Sequence, residues 1–132
     1  MRHRQWTTRL PDTLRAAMSR PFLWGEHDCC LFAADCVQAV CGFDPGETVR
    51  GRYNTRFGAA RVLKSEFGTL TQALDRLFDA IPVTVAGRGD IVMFQAAEGK
   101  TLGALWAGQV WAVTPHGARP VDVSPLKAWR VE

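Results

Sequence analysis

The chain has 132 residues, which is enough for one domain with a substantial core but too few for two. It is 47% hydrophobic and 22% charged, a balance typical of a globular protein. The formal net charge of +3 is too small to indicate nucleic-acid binding by itself, so nucleic acid is not an expected partner. No apolar run approaches the ~20 residues of a membrane span. Basic residues interrupt the N-terminal segment, so we expect no signal peptide and reduced cysteines.

The first half of the chain predicts helices. Asp12 is a suitable N-cap for a helix that ends near Arg20, before the helix-stopping Pro21. Asp28 is a suitable N-cap for a second helix over residues 29–41, which Gly42 would close.

A loop and two further helices follow. Residues 43–55, "FDPGETVRGRYNT", contain proline and glycines and are typical of a loop. A third helix is predicted over residues 56–67. Thr69 would cap a fourth over residues 70–81, which Pro82 ends.

The second half changes its hydrophobic period from helical to alternating. The segments "GDIVMFQ", "TLGALWAG", "QVWAVTP" and "RPVDVS" predict short strands between polar turns, and "LKAWRVE" predicts a last strand. Helices followed by an antiparallel meander predict an α+β domain, with the N-terminal helices packed on a small antiparallel sheet.

All four cysteines lie on or beside the second predicted helix. Cys29 and Cys41 would be about 18 Å apart along it, too far for a four-thiolate metal site. A two-thiol metal site shared with a partner chain remains an alternative, and no cofactor is expected. Cys36 and Cys41 are expected to be buried small apolar side chains.

Cys29 differs because it would occupy the first turn of a helix. There the unpaired N–H groups and the helix dipole favour a thiolate, and the same groups can stabilise an oxyanion. Cys29 is therefore a candidate nucleophile, although any helix can begin with a cysteine.

Two segments of the sequence resemble motifs of a known protein family. "FLWGEHDCCLF" resembles the nucleophile motif of NlpC-type cell-wall endopeptidases, which are papain-like cysteine hydrolases, and "GRGDIVMF" resembles their second motif. The resemblance implies a papain-like NlpC-type domain over residues 21–132 and an N-terminal extension or helix over residues 1–20. It also implies a possible action on peptidoglycan through Cys29.

The chain is similar in more detail to small NlpC-like proteins encoded in tail gene clusters of phages and gene transfer agents. Those proteins share a "WG..DC..F.AD" segment, a Gly-Asp strand, an "LG" strand and a terminal "AWR". This similarity implies a structural component of the tail tip that joins the hub and central tip proteins. It would be assembled in the bacterial host cytoplasm and located in the virion.

The catalytic histidine of the family is missing from this pattern. Gly103 matches the glycine of the family's His-Val-Gly segment, so Thr101 stands at the histidine's position. His27 and His116 are the remaining candidate bases. Without a base to take the thiol proton and return it to the leaving amine, a degenerate domain is favoured over a working peptidase.

Three functions therefore stay open on the sequence. The first is a catalytically degenerate tail-tip component, and the second is an active cysteine endopeptidase or amidase that cuts peptidoglycan during genome entry. The third is a thiol-metal binding protein. Asp28 is predicted to act as a helix cap rather than a catalytic group, and Asp35 to pair with an arginine of residues 50–56.

Overall fold

The computed structural model describes residues 1–132 and has helices first and a sheet after them. The helices are α1 (Trp6–Ala17), α2 (Cys29–Cys41), α3 (Arg56–Phe67) and α4 (Leu70–Leu77). The strands are β1 (Asp79–Ile81), β2 (Ile91–Ala96), β3 (Gly99–Trp106), β4 (Gln109–Thr114), β5 (Gly117–Val121) and β6 (Lys127–Arg130). The predicted α+β class is confirmed. None of the helices combines the length and the apolar character that a membrane crossing needs.

The six strands form one antiparallel sheet in the order β1-β6-β2-β3-β4-β5. Strands β2 to β5 form the predicted meander, but β6 returns to the middle of the sheet and pairs with both β2 and β1. The prediction of helix as far as residue 81 was wrong. The chain becomes extended at Phe78, and Asp79 pairs with Arg130 of the last strand, about fifty residues away. Local sequence patterns cannot indicate a pairing over that separation.

Helix α1 begins seven residues earlier than the Asp12 cap predicted, since its N-cap is Gln5. Pro11 lies inside the helix, where its missing N–H loses one backbone hydrogen bond. The helix nevertheless forms because Leu10, Leu14 and Ala17 lie along one buried face. Tertiary burial outweighs the local signal for a start at residue 12.

Helix α1 packs against α2 and shares its core. Leu10 is 0% exposed and Leu14 is 2% exposed. Residues 1–20 therefore form no separate core of their own, although they lie outside the resemblance to the NlpC-type domain.

Helix α2 is the central element of the main core. Its Phe32, Cys36 and Ala39 belong to one buried cluster with side chains of β2 and β3. Those strand residues are Ile91, Met93, Leu102 and Ala104. The opposite face of the sheet has a smaller apolar cluster built on Val92, Phe94, Val110, Ala112 and Ala128. Both faces of β2 are thus buried, which fixes its register.

Candidate functional site

The start of α2 is held by the buried carboxylate of Asp28, which is 1% exposed. Its Oδ1 accepts from the backbone N–H of Leu31 at 3.0 Å, the N-cap bond predicted from sequence. Its Oδ2 accepts from the backbone N–H of Gly25 at 3.0 Å and from the hydroxyl of Tyr53 at 2.7 Å. All three donors point at one carboxylate, so Asp28 is a structural acceptor and the predicted cap is confirmed.

Tyr53 brings the loop of residues 43–55 against the start of α2. Burial, and then the hydrogen bond to Asp28, raise the pKa of the Tyr53 hydroxyl well above its ordinary value, so it stays a donor. Gly25 has φ of +83°, and a Cβ on it would lie 1.9 Å from the carbonyl oxygen of Tyr53. The positive φ and the close approach of the Tyr53 carbonyl both restrict this position to glycine.

A second set of contacts fixes the same loop. The guanidinium of Arg50 donates to Asp35 at 2.7 Å, which confirms the predicted pairing of Asp35 with an arginine of this loop. Arg50 also donates to both carboxylate oxygens of Asp44, at 2.7 and 3.1 Å. Although desolvation opposes it, the hydrogen bond from Arg50 helps to hold the pKa of Asp44 below its ordinary value.

Cys29 occupies the first position of α2, as predicted, and the residue is partly buried. Its Sγ lies 3.8 Å from the Sγ of Cys30. The hydrogen bond from Cys30 lowers the pKa of Cys29 and outweighs burial, and the backbone N–H of Leu102 adds to the effect. The pKa of Cys30 is raised well above its ordinary value because its proton is held between the two sulfurs and the site is desolvated. Of the two sulfurs, Cys29 therefore has the lowered pKa and Cys30 the raised one.

His27 is next to this site in sequence but does not serve it as a base. The side chain is 1% exposed, and neither ring nitrogen has a hydrogen-bond partner. Its ring packs edge-on against Phe32, with centroids 6.0 Å apart. Desolvation, and then the nearby charge of Arg20, lower the pKa of His27, so it is a neutral, buried ring.

His116, the second candidate base, makes no hydrogen bond to the Cys29 thiol either. His116 is exposed in the turn between β4 and β5, and its backbone N–H donates to Thr114 Oγ1 at 3.2 Å. No hydrogen bond joins either His27 or His116 to Cys29.

Thr101 lies on the wrong face of β3 to stand in for a catalytic histidine. Side chains alternate between the faces of a strand, and Leu102 and Ala104 face α2 in the main core. A Cβ on Gly103 would meet the ring of Phe94, which belongs to the opposite face. Thr101 has the parity of Gly103 and pairs with Phe94, so its side chain points away from the thiol of α2.

The remaining cysteines are not part of the site. Cys36 is buried in the main core, and burial raises the pKa of its thiol. Cys41 lies at the far end of α2, and burial raises its pKa as well. No group of three or more His, Cys, Asp or Glu side chains converges on a common point.

The Gly-Asp segment of the second motif has a structural role that sequence did not reveal. Asp90 is 1% exposed and accepts hydrogen bonds from Arg2 at 3.0 Å and Arg130 at 3.1 Å. The backbone N–H groups of Gly87 and Val131 donate to the same carboxylate at 2.9 and 3.1 Å. Asp90 thus ties the two ends of the chain to β2. The separations of up to 88 residues explain why no local pattern predicted these contacts.

An apolar cavity of about 270 Å³ lies beside Cys30, and no pattern in the sequence indicated it. It lies between α2, α4 and the sheet. Its wall includes Cys30 and Leu102, and Arg76 is its one charged lining residue. The aliphatic and aromatic lining comes mainly from Leu31, Val37, Leu63, Leu74, Phe78 and Ile91.

Fold and site together define an α+β protein in which a cysteine of lowered pKa begins a capped helix and has no hydrogen bond to an imidazole. An apolar cavity lies beside the neighbouring Cys30. The chain belongs to the family described as Domain of unknown function (DUF6950), whose model matches residues 1–131. A search of curated proteins gave no match.

Proposed function

We propose that this protein is a structural component of a phage or gene-transfer-agent tail tip, with an NlpC-like domain that does not hydrolyse peptides. It would join the hub and central tip proteins in the virion, after assembly in the bacterial host cytoplasm. The observation that supports a domain without peptidase activity is the environment of Cys29, whose sulfur lies 3.8 Å from that of Cys30 and has no hydrogen bond to an imidazole.

The chemistry of amide hydrolysis explains why this environment matters. An attacking thiol must lose a proton, and the amine that leaves must gain one. The lowered pKa of Cys29 favours the first step. The second need is unmet because His27 is buried without hydrogen bonds and His116 lies in an exposed turn.

The motif residues that support the tail-tip assignment each have a structural role in this fold. Asp28 caps α2, and Asp90 ties the chain ends to the sheet. Gly103 lies against β4, where a Cβ would come within 2.8 Å of the carbonyl oxygen of Trp111. Trp129 is 0% exposed and donates to Asp75 at 2.8 Å. Their presence is therefore accounted for by folding alone, as expected of a domain kept as a structural part.

Hydrolysis is tested with purified peptidoglycan and with muropeptides, using the wild-type chain and Cys29→Ala as the matched control. We expect no product from either protein beyond the buffer blank. Cleavage by the wild type that disappears in Cys29→Ala would establish the second candidate function, an active cysteine endopeptidase or amidase. The lowered pKa of Cys29 is the observation that favours an active peptidase as the second candidate function.

The tail-tip assignment has its own test. Particles are purified from a strain that encodes the chain with an epitope tag, and the tag is located by immunogold labelling. We expect label at the tail end distal to the capsid, together with copurification of hub and central tip proteins. A chain found only in the cell lysate, with none in washed particles, would refute the assignment.

A further inference from the structure

We propose that the apolar cavity between α2, α4 and the sheet binds a free medium-chain fatty acid, with the alkyl chain inside and the carboxylate beside Arg76. The binding is non-covalent and involves neither Cys29 nor a tail protein. It therefore goes beyond the tail-tip role and stands or fails independently of it.

The exposure of the lining residues shows where the cavity opens. Of the eighteen residues that line it, only Arg76 and Leu77 are exposed, and both lie at the end of α4. The lining residues Leu31 of α2, Ile91 of β2 and Leu102 of β3 are buried. The cavity therefore has its mouth at the C-terminal end of α4 and a buried interior against α2 and the sheet.

The composition of the lining favours an apolar occupant over water. Fifteen of the eighteen lining residues are hydrophobic, and the other three are Pro45, Gly46 and Arg76. Arg76 is thus the only lining residue whose side chain contains nitrogen or oxygen. A buried water molecule needs about two to four polar partners, which the interior of this cavity does not offer through its side chains.

The volume of the cavity sets the length of the alkyl chain. A water molecule occupies ~30 Å³ in the liquid, so the volume of about 270 Å³ holds about nine groups of similar size. Decanoate has a hydrocarbon chain of about this number of carbons, and each methylene transferred from water to the interior adds to its affinity. The cavity is too small for the second chain of a phospholipid.

The charge of Arg76 selects the head group. One nitrogen of its guanidinium, Nη1, donates to the carbonyl oxygen of Phe67 at 3.0 Å, and Nε and Nη2 remain for a ligand. The acidic neighbours Asp75 and Asp79 do not line the cavity, and Asp75 accepts from the indole of Trp129 at 2.8 Å. The mouth thus presents a cation beside the apolar interior, which suits a carboxylate at the end of an alkyl chain.

A peptide is a poorer occupant of the same space. Its backbone N–H and C=O groups would lose their hydrogen bonds to water inside the cavity, and the side chains of the interior offer no replacement partners. An alkyl chain carries no such groups. The cavity therefore favours a fatty acid over a segment of a partner protein.

The test is isothermal titration calorimetry of the full chain with hexanoate, decanoate and tetradecanoate, each below its critical micelle concentration. We expect one molecule of decanoate to bind to each chain. Decanoate should bind at least about thirtyfold more tightly than hexanoate, because more methylene groups are buried. Tetradecanoate should bind no more tightly than decanoate, because the end of its chain exceeds the cavity.

The head group is tested with decylamine, which has the same chain and a positive charge. It should bind at least about threefold more weakly than decanoate, a modest factor because the mouth is exposed to water. Arg76→Gln should weaken decanoate by about threefold and should strengthen decylamine. Arg61→Gln is the matched control, since it removes an exposed arginine of α3 that does not line the cavity, and it should bind as the wild type does.

Three further variants locate the alkyl chain. Ala73→Phe adds a ring to the cavity wall and should weaken decanoate at least about tenfold, because the ring takes the space of several methylene groups. Ala60→Phe makes the same change at an exposed position of α3 outside the cavity and should bind as the wild type does. Cys29→Ala should also bind normally, because Cys29 does not line the cavity.

The absence of saturable decanoate binding would overturn the proposal, as would equal affinities for hexanoate and decanoate or several decanoate molecules per chain. Equal affinities for decanoate and decylamine, unchanged in Arg76→Gln, would overturn the assignment of an anionic ligand. Both ligand series are measured on the wild type, so the test stands even if Ala73→Phe does not fold. Because the hydrolysis and particle assays contain neither ligand, a failure here would leave the tail-tip assignment in place.

Discussion

Replacing Asp28 by alanine should destabilise the protein strongly, because one buried carboxylate satisfies three donors. The lost N-cap bond to Leu31 costs about 1 kcal/mol. The N–H of Gly25 and the hydroxyl of Tyr53 are left buried without an acceptor, at about 1–3 kcal/mol each. The total loss is about 3–7 kcal/mol, which is a large part of the roughly 5–15 kcal/mol typical of a domain. For 132 residues this corresponds to a fall in Tm of about 11–25 °C.

The assay is urea unfolding of four proteins: the wild type, Asp28→Ala, Tyr53→Phe and the double variant. Tyr53→Phe should lose about 2 kcal/mol, since it removes a hydrogen bond to a charged acceptor. The double variant should be more stable than the sum of the two losses predicts, by about 1–2 kcal/mol, because no hydroxyl is left stranded. Asp28→Ser is the matched control, since serine keeps the cap and should recover about 1 kcal/mol relative to alanine.

Thiol reactivity separates a cap from a catalytic group at the same residue. The negative charge of Asp28 raises the pKa of Cys29, so Asp28→Ser should alkylate with iodoacetamide at least as fast as the wild type near neutral pH. Additive losses in the double variant would refute the shared hydrogen-bond network. A large fall in alkylation rate, with the fold intact, would show that Asp28 activates the thiol instead.

Two further predictions concern stability. The pKa of His27 in the folded chain lies below its ordinary value of 6.5, so the unfolded chain binds a proton first as the pH falls. The free energy of unfolding should therefore decrease below about pH 6.5. In His27→Leu, the midpoints of urea unfolding measured between about pH 8 and pH 5 should change less with pH than in the wild type. Deleting residues 1–10 removes the Arg2 partner of the buried Asp90 and the core residue Leu10. The truncated chain should therefore show no cooperative thermal unfolding when followed by circular dichroism. A sharp transition near the wild-type Tm would contradict this prediction.

The elements that sequence predicted well are those defined by contacts between near neighbours. Helix α2 begins after Asp28 and ends before Gly42 as predicted, because the cap bond spans three residues and the left-handed Gly42 follows directly. Thr69 forms a full capping box with Gln72 for the same reason. The packing of α2 on β2 and β3 was also predictable, since the change of hydrophobic period marks the helices and strands that must share a core.

The features that sequence missed depend on residues far apart in the chain. Strand β1 exists because Asp79 to Ile81 pair with the last strand, although the same residues continue a helical pattern. The carboxylate of Asp90 gathers donors from both chain ends. The cavity depends on the spacing between α2, α4 and the sheet, and apolar residues that line it have the same sequence signature as residues that fill a core.

The place of the missing histidine shows how a one-residue shift changes a chemical argument. Matching Gly103 to the family's glycine puts Thr101 at the histidine's position, but that side chain lies on the sheet face away from α2. The next residue of β3, Leu102, is the one that faces α2, and it also lines the cavity. Because a shift of one residue moves a strand side chain to the other face, a histidine at 101 would leave the site unchanged. The strand that would supply a base in a hydrolase here presents apolar side chains to α2, and these cannot protonate a leaving amine.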